Sequence, residues 1–188
     1  MPTPETAGPD AEPDGRRRRG HRRRRALLDA ALRVVGRDGA GGVTQRAVAA
    51  EAGLPPSAVY YYFATIDDLV AAVLTDVNDR YLAAFAALPD GPDAVPAFAA
   101  LVEEGARAGR DEVLAEVELW LLSARRPALR AELERWDAGL RAAARRLSTD
   151  PVAVEAVVDL VHGRYVRALT APAEADLTAA LRRVTGRS

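Results

Sequence analysis

Residues 53–66 read GLPPSAVYYYFATI, and the run RRRRGHRRRR fills positions 16–25 upstream of them. The two stretches hold hydroxyls, aromatic rings and guanidinium groups, side chains that grip phosphates and line nucleic-acid grooves rather than relay protons. Four successive rings on a helix point in four directions, so at least one of Tyr60, Tyr61, Tyr62 and Phe63 has to face outward. Ser57 and Tyr61 are four apart and share one face, with Ala58 and Tyr62 beside them. Phe63, with Tyr60 as a second candidate, is expected to pack inward, while Tyr61 and Tyr62 reach a partner.

The groups that could break or form bonds do not assemble in the sequence. Cysteine is absent, which removes disulfides, thiolate metal sites and thiol nucleophiles. A di-metal carboxylate bundle needs two Glu-x-x-His motifs, and the nearest match is one Asp159–His162 pair; the other histidine, His21, lies in the arginine run. Ser123 and Ser148 have no paired histidine, and the glycine stretch DGAGG lacks the strand and lysine of a phosphate loop. The expectation is a non-enzyme with no metal and no cofactor.

Helices must position the binding groups, because apolar residues recur at helical spacing almost throughout and no stretch alternates as a half-buried strand does. Leu27, Leu28, Ala31, Val34 and Val35 form the first stripe, ended by the glycines of GRDGAGG. Thr44 offers an N-cap for a short helix to about residue 50, Gly53 stops it, and Pro56 opens a second short helix that carries the tyrosines. That pair has the spacing of a helix-turn-helix, with Ala47, Val48, Ala52, Val59 and Phe63 as its clamp. Thr65 caps a long helix with the stripe Leu69, Val73, Val77, Tyr81, Phe85 and Leu88. Further helices are expected over about 93–108, 111–124, 128–147, 151–169 and 173–184. The fold class is all-α, with about nine helices.

The 188 residues, 49% of them hydrophobic, suffice for one ordinary domain or two small ones. The net charge of −1 conceals an uneven distribution: residues 1–15 carry −4, residues 16–66 carry +8 and residues 67–188 carry −5. A basic segment between acidic ones points to polyanion contact in the first third. Residues 1–20, rich in Pro, Gly and charge, are expected to be a disordered arm. No apolar run nears the roughly 20 residues that span a bilayer, so no membrane contact is expected and the location is read as cytoplasmic.

About fifty residues from Ala26, ALLDAALRVVGRDGAGGVTQRAVAAEAGLPPSAVYYYFATIDDLVAAVL, resemble the TetR family of transcriptional regulators. A threonine at a helix start, Ala-Gly at the turn, the spaced tyrosine and phenylalanine and an acidic-then-Leu opening of a long helix carry the likeness. The resemblance implies an N-terminal three-helix DNA-binding domain over 21–66 and a helical ligand-binding and dimerisation domain over 67–188. Carried over by position, it makes Thr44, Gln45 and Tyr62 phosphate contacts, and Arg46, Pro56, Ser57, Ala58 and Tyr61 the base-reading set, with Tyr60 among the DNA-contacting candidates. Two positions depart from the pattern: Ile66 stands where the family usually has lysine, and Pro55 replaces a side-chain cap.

The same resemblance implies an effector pocket, for which Tyr81, Phe85, Phe98, Trp120 and Trp136 are candidate walls; Glu103, Glu104, Glu116 or Glu118 would meet a cationic ligand if directed inward. It also implies a homodimer. The helix over 151–169 is apolar on two sides and needs partners on both; Val154, Val158, Val161, His162, Tyr165 and Leu169 are assigned to the second subunit. The expected partners are a double-stranded DNA operator, a second copy of the chain and a small-molecule effector of unknown identity. An arginine-rich RNA-binding protein explains the arm but not the helix-turn-helix.

Overall fold

Leu27, Leu28, Ala31, Val34 and Val35 are all buried on one side of the first helix, α1 (Ala11–Asp38). The structure, a computed structural model, describes residues 11–171 and 176–187. Residues 1–10 of the expected disordered arm lie outside the described residues. For 11–20 the expectation is corrected: the backbone there is helical and continuous with the core-packed half of α1. Arginine is among the better helix formers, and a helix already nucleated on a core extends at little cost per residue.

Gly39, at φ 73°, ends α1 in the left-handed conformation that side chains with a Cβ avoid. A 3-10 turn (Ala40–Gly42) leads to α2 (Gln45–Glu51), where the Thr44 hydroxyl accepts from the Ala47 N–H at 3.1 Å. Gly53, at φ 63°, lets the chain reverse, and Leu54 N–H returns to Ala49 carbonyl at 2.9 Å. Then comes α3 (Pro56–Tyr62). After Phe63 the axis bends by 73° into α4 (Ile66–Ala86). A reciprocal capping box fixes that corner, with Thr65 accepting from Asp68 N–H and Asp68 from Thr65 N–H, both at 3.0 Å.

The rest is α5 (Ala94–Ala106), α6 (Arg110–Arg125), α7 (Arg130–Leu147), α8 (Pro151–Thr170) and α9 (Leu177–Thr185), the last capped by Asp176. The expected last helix began at 173; residues 172–175 lie outside the described residues. Among the described residues there are nine α-helices and no strand. None of these helices alone is long and apolar enough to cross a membrane.

Two hydrophobic clusters organise the packing. One joins α1, α2 and α3 to Leu69, Val73 and Val77 of α4 and to Ala115 and Leu119 of α6. The other joins Phe85 of α4 to Phe98, Val113, Trp136, Val157 and Tyr165 of the later helices. Helices α4 and α6 therefore run through both cores. Between α1 and α6 the backbones nearly touch: a Cβ on Gly36 would stand 2.1 Å from the Asp111 carbonyl oxygen.

Candidate nucleic-acid interface and effector core

Val48, Ala49, Val59 and Phe63 are buried where α2 and α3 meet α1, with Ala47 and Ala52 packed at their edge. Burying such side chains contributes about 1.5–3 kcal/mol each, which holds α3 by its inner face. Its outer face is open: Pro56 and Ser57 are exposed, Tyr60 is 62% exposed and Tyr61 81% exposed. The inward orientation expected for Tyr60 is corrected. Val59 and Phe63, four apart, take the inner face, and the residue after Val59 is rotated about 100° away from it. Tyr62 is half-buried against the first core and its ring meets Tyr61 edge-on at 4.9 Å.

Thr44 and Arg46 are exposed and Gln45 is half-buried at the start of α2. Capping uses the Thr44 oxygen as acceptor and leaves its O–H free to donate. Glu51 ties α2 to α1, accepting from Arg33 Nε at 2.7 Å and Arg37 Nη1 at 2.8 Å. Hydrogen bonds from Arg33 and then Arg37 hold its carboxyl below the usual range.

The five aromatic residues proposed as pocket walls come together, joined by two that the sequence reading placed elsewhere. Tyr81 meets Trp136 at 5.4 Å, Phe85 stacks on Phe98 at 5.8 Å and Trp120 lies 6.1 Å from Trp136. Tyr165 and His162 complete the group, 5.5 Å and 5.1 Å from Trp120. Burial pushes the His162 imidazole below its usual value. Trp136 Nε1 is buried without an acceptor among the described residues. A buried N–H without a partner costs about 1–3 kcal/mol, so the cluster offers an unused donor.

Of the four glutamates considered, Glu116 points into this group. It accepts from the Tyr81 hydroxyl at 2.8 Å, and that hydroxyl lies 2.7 Å from the Tyr165 hydroxyl. Burial pushes the Glu116 carboxyl up to about 7 and outweighs the Tyr81 hydrogen bond and Arg80, which pull it down. Its other side lines a cleft of about 640 Å³ between α1, α4 and α6, shared with Arg33, Arg80, Arg110 and Glu112. Glu103 is buried but paired with Arg164 and Arg107, Glu104 is exposed, and Glu118 is half-buried. Gly105 was not singled out from the sequence: a Cβ there would lie 2.0 Å from the Tyr165 hydroxyl and 2.8 Å from that of Tyr81.

The assignment of α8 faces is corrected. Val154, Val158, Val161 and Tyr165 are at most 4% exposed inside their own chain, and Leu169 packs against the same core. Four residues enclosed by α5, α6 and α7 are not available to a second subunit; His162 is half-buried against Trp120. The outward face is the other one, where Val152 is 75% and Val166 48% exposed beside exposed Gly163. A groove of about 440 Å³ adjoins it, lined by Leu160 and Gly163 of α8 and Leu177, Ala180 and Val184 of α9.

The chain is similar to known regulators along its length. The family model described as "Bacterial regulatory proteins, tetR family" matches residues 27–73. The one described as "Tetracyclin repressor-like, C-terminal domain" matches residues 89–187, more than half of the chain. Among solved structures, a member of the TetR family from Streptomyces coelicolor A3 is 35% identical, with a TM-score of 0.74 over 87% of this chain and 98% of that one. The multidrug binding protein EbrR, complexed with malachite green, is 34% identical with a TM-score of 0.70 over 86% and 97%. The nicotine-responsive transcriptional repressor HdnoR of Paenarthrobacter nicotinovorans is 32% identical over 109 residues, 56% of each chain. The regulator BetI of Rhizobium meliloti (strain 1021) is 42% identical over 52 residues, 28% of this chain and 26% of its own. The chain thus spans about half, or less, of the curated relatives it matches.

Proposed function

The chain belongs to the TetR family of transcriptional regulators, and from that premise we propose that it is a homodimeric repressor, released from a pseudo-palindromic operator by a small-molecule effector. The observation that carries the DNA half of this reading is the outer face of α3: two tyrosines more than half exposed, next to Ser57, on a helix whose inner face is locked by Val59 and Phe63. Exposed phenol hydroxyls can donate to phosphate oxygens while their rings cover sugars and base edges. In this reading residues 21–66 form the DNA-binding domain and 67–188 the effector and dimer domain. Thr44, Gln45 and Tyr62 hold phosphates, and Arg46, Ser57, Ala58 and Tyr61 meet base edges.

The effector we assign is a planar organic cation. Support comes from Glu116 at the edge of the aromatic cluster, since a cation over ring faces and beside a carboxylate gains both attractions. EbrR has been solved with ethidium, malachite green and proflavin, and also with imidazole. The dimer is assigned to the outward face of α8 with the α8–α9 groove, because Val152 and Val166 are apolar and open there. Such a dimer needs its two α3 helices roughly 34 Å apart to enter successive major grooves, and an effector acts by favouring the dimer in which that separation is wrong.

Duplex selection with the purified protein yields the operator, and fluorescence anisotropy then compares it with a scrambled duplex. Arg46→Ala and Tyr61→Ala are each expected to lose about 1–3 kcal/mol of operator binding, with scrambled-duplex binding nearly unchanged. If both variants keep the sequence preference of the native chain, α3 is not the reading surface.

A further inference from the structure

Arginine-rich tails are commonly solvated, and a run of ten residues with eight arginines need not touch anything in particular. Here the run is neither loose nor remote. Its arginines from Arg17 to Arg25 are exposed on α1, and the run passes directly beside the outer face of α3. Arg19, Gly20 and Arg23 line one hollow of about 350 Å³ together with Ala58, Tyr61 and Tyr62. The approach is close at Gly20, where a Cβ would lie 3.7 Å from the Tyr62 hydroxyl. One turn on, the Arg24 guanidinium sits 5.6 Å from the centroid of the Phe63 ring, so the extension is tied to the corner that holds α3.

Arg25 is neutralised by Asp29 at 3.0 Å and Asp76 at 2.9 Å. Arg19 and Arg23, by contrast, have no carboxylate within ion-pair distance among the described residues, and Arg17, Arg19, Arg22 and Arg23 are all exposed. Like charges one turn apart repel on an isolated helix, so a row of this kind is stabilised when a polyanion neutralises it. The helical form also selects how that polyanion is met. An α-helix with side chains is about 10–12 Å across, and the minor groove of B-DNA is about 6 Å wide; the extension therefore cannot thread that groove as an unfolded arm can. From Arg23 back to Arg17 the helix runs about 9 Å at 1.5 Å per residue, a length over which duplex presents about three phosphates per strand.

We propose that the arginine-rich first half of α1 is a second DNA-contact element, a helix laid against the phosphates that flank the half-site read by α3, with Arg19 and Arg23 nearest the tyrosines and Arg17 further out. It supplies cationic contacts of a kind that the apolar Ile66 does not offer. This inference rests on the reading of α3 as the DNA-reading helix.

The test uses the full chain and a variant carrying Arg17→Gln, Arg19→Gln and Arg23→Gln, changes that keep helix propensity nearly constant and touch no buried residue. Binding to the operator, with about five flanking base pairs on each side, and to a scrambled duplex of equal length is measured against salt by anisotropy. Each lost phosphate contact lowers the slope of log K against log salt by about 0.9. The expected result is a slope reduced by about two to three, weakening on both duplexes by a similar factor and an unchanged operator preference. Lysine at the same three positions restores the slope, and trimming the flanks makes native and variant protein equal. An unchanged slope overturns the proposal, as does a difference that survives trimming, a loss confined to the operator, or tighter arginine-dependent binding to duplex RNA than to duplex DNA. Failure of the native chain to prefer any duplex over the scrambled one would instead overturn the reading of α3.

Discussion

Glu116→Gln replaces a carboxyl that folding has driven toward the neutral form by an amide of the same shape, which can still accept from Tyr81. In the unfolded chain this carboxyl titrates near its ordinary 4.5, and in the folded protein near about 7. Between those values the folded state holds a proton that the unfolded state has lost, so stability is full below pH 4.5, falls as pH rises and stays reduced above 7. At about 1.4 kcal/mol per pH interval of one, the loss between pH 5 and pH 8 comes to about 2.5 kcal/mol. The side of Glu116 open to the cleft makes that an upper figure. Glutamine has no proton to lose, so the variant escapes this part of the pH dependence, and its stability relative to the native chain should rise by up to that amount across the interval. For a chain of this length 1 kcal/mol moves the melting midpoint by about 2–4 °C. Thermal unfolding followed by circular dichroism, at fixed protein concentration and at pH 5 and 8, reads the double difference, expected at about 5–10 °C in favour of glutamine at the higher pH. Parallel pH profiles for the two proteins would mean that Glu116 is already ionised in the folded state, and the account of the effector core would fall with it.

Three other outcomes follow from the same geometry. An effector cation binds the ionised form of Glu116, so ethidium affinity is expected to fall about tenfold per pH interval below about 7 and to lose that dependence in Glu116→Gln; calorimetric titration at pH 5.5, 6.5 and 7.5 reads it, and a flat native profile contradicts the assignment. Gly36→Ala would stabilise an isolated helix by about 1 kcal/mol, yet here its Cβ meets the Asp111 carbonyl of α6, so the melting midpoint should drop, by about 1–3 kcal/mol equivalent; a rise would show that α1 and α6 are free to separate. Val166→Glu puts a charge on the outward face of α8 and is expected to give a single-chain mass by light scattering at micromolar concentration, whereas Val158→Ala, inside the core, should lower stability without changing the mass.

Local chemistry made much of this legible in the sequence. Thr44, Gly53 and Thr65 mark their helix ends because a cap or a left-handed turn depends on a few neighbouring residues only. Long-range choices were less accessible. The stretch YYYF contains no charged residue to show which rings face water, and only the burial of Val59 and Phe63 against α1 decides that Tyr60 turns outward. On α8 both sides are apolar, so periodicity finds the faces but not their partners; the enclosure of Val154 and Tyr165 by α5, α6 and α7 assigns them. Glu112 and Glu116 are alike in spacing, and what separates them is depth, Glu112 exposed and Glu116 bonded to Tyr81. The arginine run reads as disorder by composition, because composition carries no information about the packed helix it continues.

The corner between α3 and α4 has a mechanical consequence. Tyr81 stands fifteen residues along α4 from Ile66, about 22 Å of rigid helix, and Phe63 and the Thr65–Asp68 cap weld α3 to the far end at 73°. Tilting this beam by about 5° around Tyr81 sweeps α3 sideways by about 2 Å, about twice the roughly 1 Å that separates a made hydrogen bond from a lost one. On the proposed reading, a ligand that does no more than shoulder one ring aside in the interior throws the tyrosines out of step with the base pairs of the operator.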